Sequence, residues 1–143
     1  MQYFNMNKIC LLFIVAIILS SCYSRGKFGS EAQIFDETTK NYYKYIQWKY
    51  YDRAKNYIDL EDRAAYEEFV LRAEKDLNIT SYEMREFIFN EDHSECEIKL
   101  VITYYKYPSV SEKTEIMYEK WVKHGTSWFV KPDFNNSFYQ DFD

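Results

Sequence analysis

The side chains with most chemistry to offer in this 143-residue chain are two histidines, three cysteines and an unusual supply of tyrosine. His93, Glu95 and Cys96 lie within four positions and are the donor types of a soft-metal site. The surrounding pattern opposes that use. From Cys96 to Tyr104 apolar and polar residues alternate, which turns the thiol to one side and Glu95 and Glu97 to the other, whereas a metal needs three or four converging donors. A thiol in an apolar layer is held protonated, so Cys96 is also a poor nucleophile. His93 falls in an acidic turn, Glu91-Asp92-His93, and His124 in a turn before Gly125. Both are expected to face solvent, and a general base needs a partner within hydrogen-bond reach. The expectation is therefore no catalytic residue, no metal and no cofactor.

Aromatic residues form 20% of the chain and include 15 tyrosines, enough ring area to build the core of a small domain. Trp48, Tyr66, Tyr104, Trp121 and Trp128 are candidates to line a pocket for an apolar or aromatic ligand. They equally suit a filled interior, and filling is the expectation for a domain of this size. Tyr42, Tyr43, Tyr45, Tyr50, Tyr51 and Tyr57 are too many for one helix face. Some must be exposed, and exposed amphipathic rings favour a protein partner.

The N-terminus has its own logic. Lys8 is the only charge before Cys22, and an apolar run from Ile9 to Leu19 follows it, then Ser20, Ser21 and Cys22. A cation-led apolar stretch ending in small residues is the layout of an export signal. Its eleven residues fall short of the ~20 that a permanent helical span needs. Leu19-Ser20-Ser21-Cys22 resembles the lipobox of bacterial lipoproteins. That resemblance implies diacylglycerol on the Cys22 sulfur, cleavage of residues 1–21 before it, and acylation of the freed amine. Tyr23 stands where such proteins carry Asp when retained at the inner membrane, which implies the outer membrane, facing the periplasm, in a Gram-negative cell. A Gram-positive surface stays open.

The 122 residues from Cys22 onward carry 17 cations against 23 acids, a net charge of −6. This excludes a nucleic-acid partner that works through basic patches and leaves acyl chains as the membrane anchor. Cys96 is the one thiol remaining to the folded domain, so stability must come from a conventional core.

Residues 22–30, with two of the three glycines, read as a tether. Helices are expected over 31–48, with Ile34, Phe35, Tyr42, Tyr45 and Ile46 on one side, and over a short segment marked by Tyr51, Ala54, Tyr57 and Ile58. The clearest helix sets Tyr66, Phe69, Val70, Ala73 and Leu77 on one stripe, with Asp59 as a cap and Asn78 as its end. Period-two patterning then predicts strands over 81–89, 96–104, 114–123 and 127–131, separated by Asn90–His93, Pro108-Ser109 and His124–Thr126. Within the third, Ile116, Tyr118 and Val122 share one face and Met117 and Trp121 the other. The end of the chain, Asp133–Asp143 with 135–143 as its tail, alternates acids, amides and rings that suit docking on a partner or on the domain's own sheet edge; a frayed terminus is the simpler expectation.

Helices followed by an antiparallel meander predict an α+β fold, N-terminal helices on a curved sheet of about four strands. The order, and the hairpin Trp121-Val122-Lys123-His124-Gly125-Thr126-Ser127-Trp128, resemble the NTF2-like (cystatin-like) superfamily, whose sheet wraps a long helix into a cone. The likeness spans 31–134. This superfamily hosts enzymes, ligand binders and scaffolds alike, so function must come from the site. The expectation is a non-enzymatic, membrane-anchored envelope lipoprotein acting through protein contacts. The alternatives are a module binding a small apolar ligand in the cone, or an isomerase or dehydratase. The enzyme reading requires an acid or tyrosine pair facing each other inside the cone.

Overall fold

In the computed structural model of the chain, residues 29–142 are described; the expected signal, Cys22 and most of the tether lie outside them. Helix α1 covers 29–47, and the boundary between two contact-defined units, Met1–Glu37 and Thr38–Asp143, falls within it. In the second unit α1 buries Thr39, Tyr42, Tyr43 and Ile46, the i, i+3, i+4, i+7 stripe of a helix with one face on a core. Ile34 and Tyr45, expected on the buried side, are exposed and half-exposed.

The end of α1 is a Schellman turn. The Lys49 N–H donates to the Ile46 carbonyl and the Tyr50 N–H reaches back to that of Tyr45, with Lys49 at φ 59°. That left-handed position suits glycine, because a Cβ there crowds the following carbonyl. Lys49→Gly is accordingly expected to raise the unfolding free energy by about 0.5–1 kcal/mol, read from the urea midpoint at unchanged slope.

Helix α2 (Tyr51–Ala54) tightens into a 3₁₀ turn (Lys55–Tyr57), and Ile58 then bridges Val130 in parallel while the Asp59 N–H donates to the Val130 carbonyl. The N-cap position of the long helix that follows is Asp62, with no side-chain cap bond, and Asp59 caps the turn before it. Its carboxylate accepts the Glu61 N–H at the start of a second 3₁₀ turn (Leu60–Asp62), which runs into α3 (Arg63–Asp76). Tyr66, Phe69 and Ala73 are the buried face of α3. The helix stops at Asp76, and Leu77 is already the first strand residue.

Strands β1 (Leu77–Phe89), β2 (Glu95–Lys106), β3 (Lys113–His124) and β4 (Ser127–Lys131) form an antiparallel sheet in the order β1-β2-β3-β4. In β2 the expected alternation holds, with Cys96, Ile98, Leu100, Ile102 and Tyr104 buried. In β3 the buried face is Met117, Glu119 and Trp121. The register of β1 slips twice, between Ile79 and Ser81 and between Met84 and Glu86. Each bulge inserts one residue and bends the strand. The residues opposite the buried face of β2 are thus Ile79, Tyr82, Met84, Phe87 and Phe89, spaced by alternate threes and twos. The β3–β4 turn places Gly125 at φ 63°, where a glycine meets no steric cost.

The segment after β4 is not frayed. Residues 133–142 fold back as irregular turns, and Phe138 and Tyr139 are as buried as the core of the sheet. The reading of 135–143 as a loose tail is corrected on that point: two large rings are buried, and side-chain hydrogen bonds from Ser137, Tyr139 and Lys106 tie the segment to the sheet.

Candidate functional site

A carboxylate sits in the middle of the core. Glu119 projects from the inward face of β3, between Met117 and Trp121, and is about 1% exposed. The Tyr43 hydroxyl, from α1, donates to Glu119 Oε2 at 2.6 Å, and the Tyr139 hydroxyl, from the C-terminal segment, donates to Oε1. Burial pushes the Glu119 carboxyl up, and the two donated hydrogen bonds pull it only part of the way back. Burial, reinforced by the charge of Glu119, likewise raises the hydroxyls of Tyr42, Tyr43 and Tyr139 well above the ordinary tyrosine value.

An acid and two tyrosines do therefore face each other inside the fold, the arrangement the enzyme alternative requires. Little space adjoins them as the chain is folded. The cavity beside them, between Tyr42, Tyr43, Tyr82, Glu119 and Tyr139, holds about 10 Å³, room for one water. With the segment in place the cluster is a polar knot: three elements meet at one carboxylate whose oxygens both have donors.

The raised Glu119 value makes a signed prediction. A carboxyl whose folded pKa exceeds its unfolded one adds stability below the unfolded value and loses it as pH rises through the folded value. Each unit of difference is worth about 1.4 kcal/mol. Between pH 8 and pH 5 the stability of the native chain relative to Glu119→Gln, which cannot ionise, is expected to increase as pH falls. Urea unfolding of both proteins across that range checks it, and a gap independent of pH refutes it.

The four pocket candidates do not converge. Trp48 lies one residue past α1 and is 62% exposed, because the Schellman turn directs the chain away there. Tyr66 is fully buried, with its hydroxyl on the Tyr51 carbonyl at 3.1 Å. Tyr104 stands edge-on to Phe138, with ring centroids 5.1 Å apart. Trp121 stands edge-on to Tyr42 at 5.5 Å. None of the four borders the small cavity. Trp128, also considered, is buried beside Phe89. Tyr104 and Trp121 pack inside, Trp48 faces solvent, and Tyr66 borders an open surface pocket with Tyr51, Lys55, Glu67 and Leu71, so the four residues do not share one pocket.

His124 also needs correction. It is largely exposed, as expected, yet its Nε2 lies 2.8 Å from Asp59 Oδ2. Burial alone would raise the Asp59 carboxyl, but the bonds from His124 and the Glu61 N–H, with Lys131 nearby, hold it below the usual range. The pair ties the β3–β4 turn to the connection between α2 and α3. His93 is an exposed turn residue at φ 55° beside the Phe89 ring. Cys96 is buried, and burial pushes its thiol up to about 12. Glu95 pairs with Lys120 instead of turning toward Cys96. Among the described residues no group of three His, Cys, Asp or Glu side chains is disposed to hold a metal.

No protein-family model matches the chain, and no curated protein matches it. Among solved structures it is similar to a SEC-C motif containing protein from Rhodopseudomonas palustris, determined in solution. The TM-score is 0.55 at 11% identity, over 66% of this chain and 73% of that one. At that identity the likeness is one of fold.

Proposed function

We propose that this chain is a lipid-anchored protein of the bacterial cell envelope, with an NTF2-like cone that works through protein contacts and not through catalysis. The anchor reading rests on Leu19-Ser20-Ser21-Cys22 directly after an apolar run that is too short to span. The single observation that carries the contact reading is the filled interior: the one acid–tyrosine cluster has about 10 Å³ beside it. This reading places the protein contacts on the surface. The surface offers Trp48, Tyr50 and Leu71 around α1, α2 and α3, and Ile116 and Tyr118 on the outer face of β3. Arg53 lies over the rings of Tyr45 and Tyr50, the Tyr–Arg combination common at binding hot spots. The membrane and an envelope protein are the partners of this reading.

Photo-crosslinking residues placed singly at Trp48, Tyr50, Leu71 and Tyr118 in the full chain, in living cells, test it. The expected result is a discrete crosslinked species from one group of positions and not from the others. Absence of any crosslink at all four positions, with a chain that is monomeric in the membrane, overturns it.

A further inference from the structure

We propose that residues 133–142 are a removable plug, and that the place filled by the Tyr139 side chain is a binding site for a small phenol. Three observations carry this. The first is how the segment is held. Its backbone–backbone hydrogen bonds among the described residues are local, from Asn136 to Asp133 and from Tyr139 and Gln140 to Asn136. Its ties to the rest of the fold run through side chains. The Tyr139 hydroxyl donates to Glu119, Ser137 Oγ donates to Glu115 Oε1 at 2.6 Å, and Lys106 Nζ donates to the carbonyls of Ser137 and Gln140 at 2.8 and 3.1 Å. No ladder has to be unzipped for it to leave, in contrast to β4.

The second observation is the shape of what it fills. The Tyr139 ring stands edge-on to Phe69 at 5.0 Å while its hydroxyl reaches a buried carboxyl, which is how a site grips a phenol: apolar walls and one polar terminus. Tyr43 stays on the other carboxyl oxygen when the plug lifts, so the acid remains oriented. The third is a second polar group. Tyr42 is about 1% exposed and borders the same small cavity, and its hydroxyl, which makes no well-formed hydrogen bond, has the Tyr139 hydroxyl as its polar neighbour. A phenol in place of the Tyr139 ring would meet both the held acid and the Tyr42 hydroxyl. An apolar ligand of the same size would leave Glu119 with an oxygen unpaired, so the hydroxyl is the specificity element.

The segment competes with any ligand as a tethered group. A ligand that needs the open form binds more weakly by the fraction of time the form is open, and removing the competing ring removes that penalty. The experiment uses p-cresol, the free equivalent of the tyrosine side chain, with the folded full-length protein. The native chain is expected to bind p-cresol saturably, with faster amide exchange over 133–142 in the bound state. Toluene is expected to bind about tenfold more weakly or worse, lacking the hydroxyl. Tyr139→Gly is expected to bind p-cresol at least about tenfold tighter than the native chain. Absence of saturable binding to the native chain up to the solubility of p-cresol overturns the proposal, even if Tyr139→Gly binds, since the site would then be a core position only. Binding to the native chain without faster exchange in 133–142 also overturns it. The native-chain titration stands alone should Tyr139→Gly not fold.

Discussion

Phe69→Ala is expected to lower the unfolding free energy by about 3–5 kcal/mol, a large part of the 5–15 kcal/mol that holds an ordinary domain together. Phe69 is fully buried on α3 and is the ring on which separate parts of the chain converge. Tyr51 of α2 stands edge-on to it at 6.3 Å and Tyr66 of its own helix is tilted at 6.0 Å. Phe138, Tyr139 and Phe142 approach from the C-terminal segment at 6.1, 5.0 and 6.0 Å. Truncation removes the transfer free energy of a phenyl group and leaves a hole whose walls are themselves rings, which cannot collapse into it. The C-terminal segment loses its widest contact at the same time, so amide exchange over 133–142 should accelerate more than over β2. Leu71, two residues further along the same helix, is 75% exposed, and Leu71→Ala is expected to stay within about 0.5 kcal/mol. Urea unfolding of the two variants beside the native chain decides the matter. Equal effects would mean that the ring cluster is not what holds α3 in place.

The legible parts of this fold were those in which period and burial agree. Cys96 to Tyr104 reads directly as a strand because each second residue is apolar and is in fact buried. The stripe Tyr66, Phe69, Ala73 reads as a helix for the same reason. β1 was legible from Ser81 onward but not over Leu77–Thr80, where Leu77 falls in phase with the α3 stripe and the first register slip, between Ile79 and Ser81, breaks the alternation. Glu119 was missed through a rule of composition. Its position, two after Met117 and two before Trp121, is an inward one, but acids are so rarely buried that the period was not followed through it. The signal was present: a charge in phase with a core stripe is either an error of register or a site. Asp59 and His124 are 65 positions apart, and nothing local to either residue reports the other. The C-terminal segment gave rings without any period, which is what a stretch held by side chains and not by a ladder must look like in one dimension.

Cys22→Ala is expected to remove the chain from the membrane almost completely, because every source of membrane affinity in the sequence converges on that sulfur. Cys22 precedes the described residues, so the argument is one of sequence and energetics. A single fourteen-carbon chain binds a bilayer only marginally, with an association constant of about 10⁴ M⁻¹, while two or three chains, at ~0.8 kcal/mol per buried methylene, hold firmly. Without the thiol no chain is attached. Residues 1–21, if left uncut, offer an unbroken apolar run of eleven residues, Ile9–Leu19, where about 20 are needed. The acidic surplus beyond Cys22 gives no electrostatic attraction to anionic lipid that could take over. The variant should therefore incorporate no labelled fatty acid, migrate with residues 1–21 still attached, and leave the detergent phase on partitioning. Cys96→Ala is the matched control, removing a thiol that is buried in the sheet and should leave partitioning unchanged. A Cys22→Ala chain that stays in the membrane fraction would mean that something other than acyl chains holds it there, and the envelope assignment would lose its physical basis.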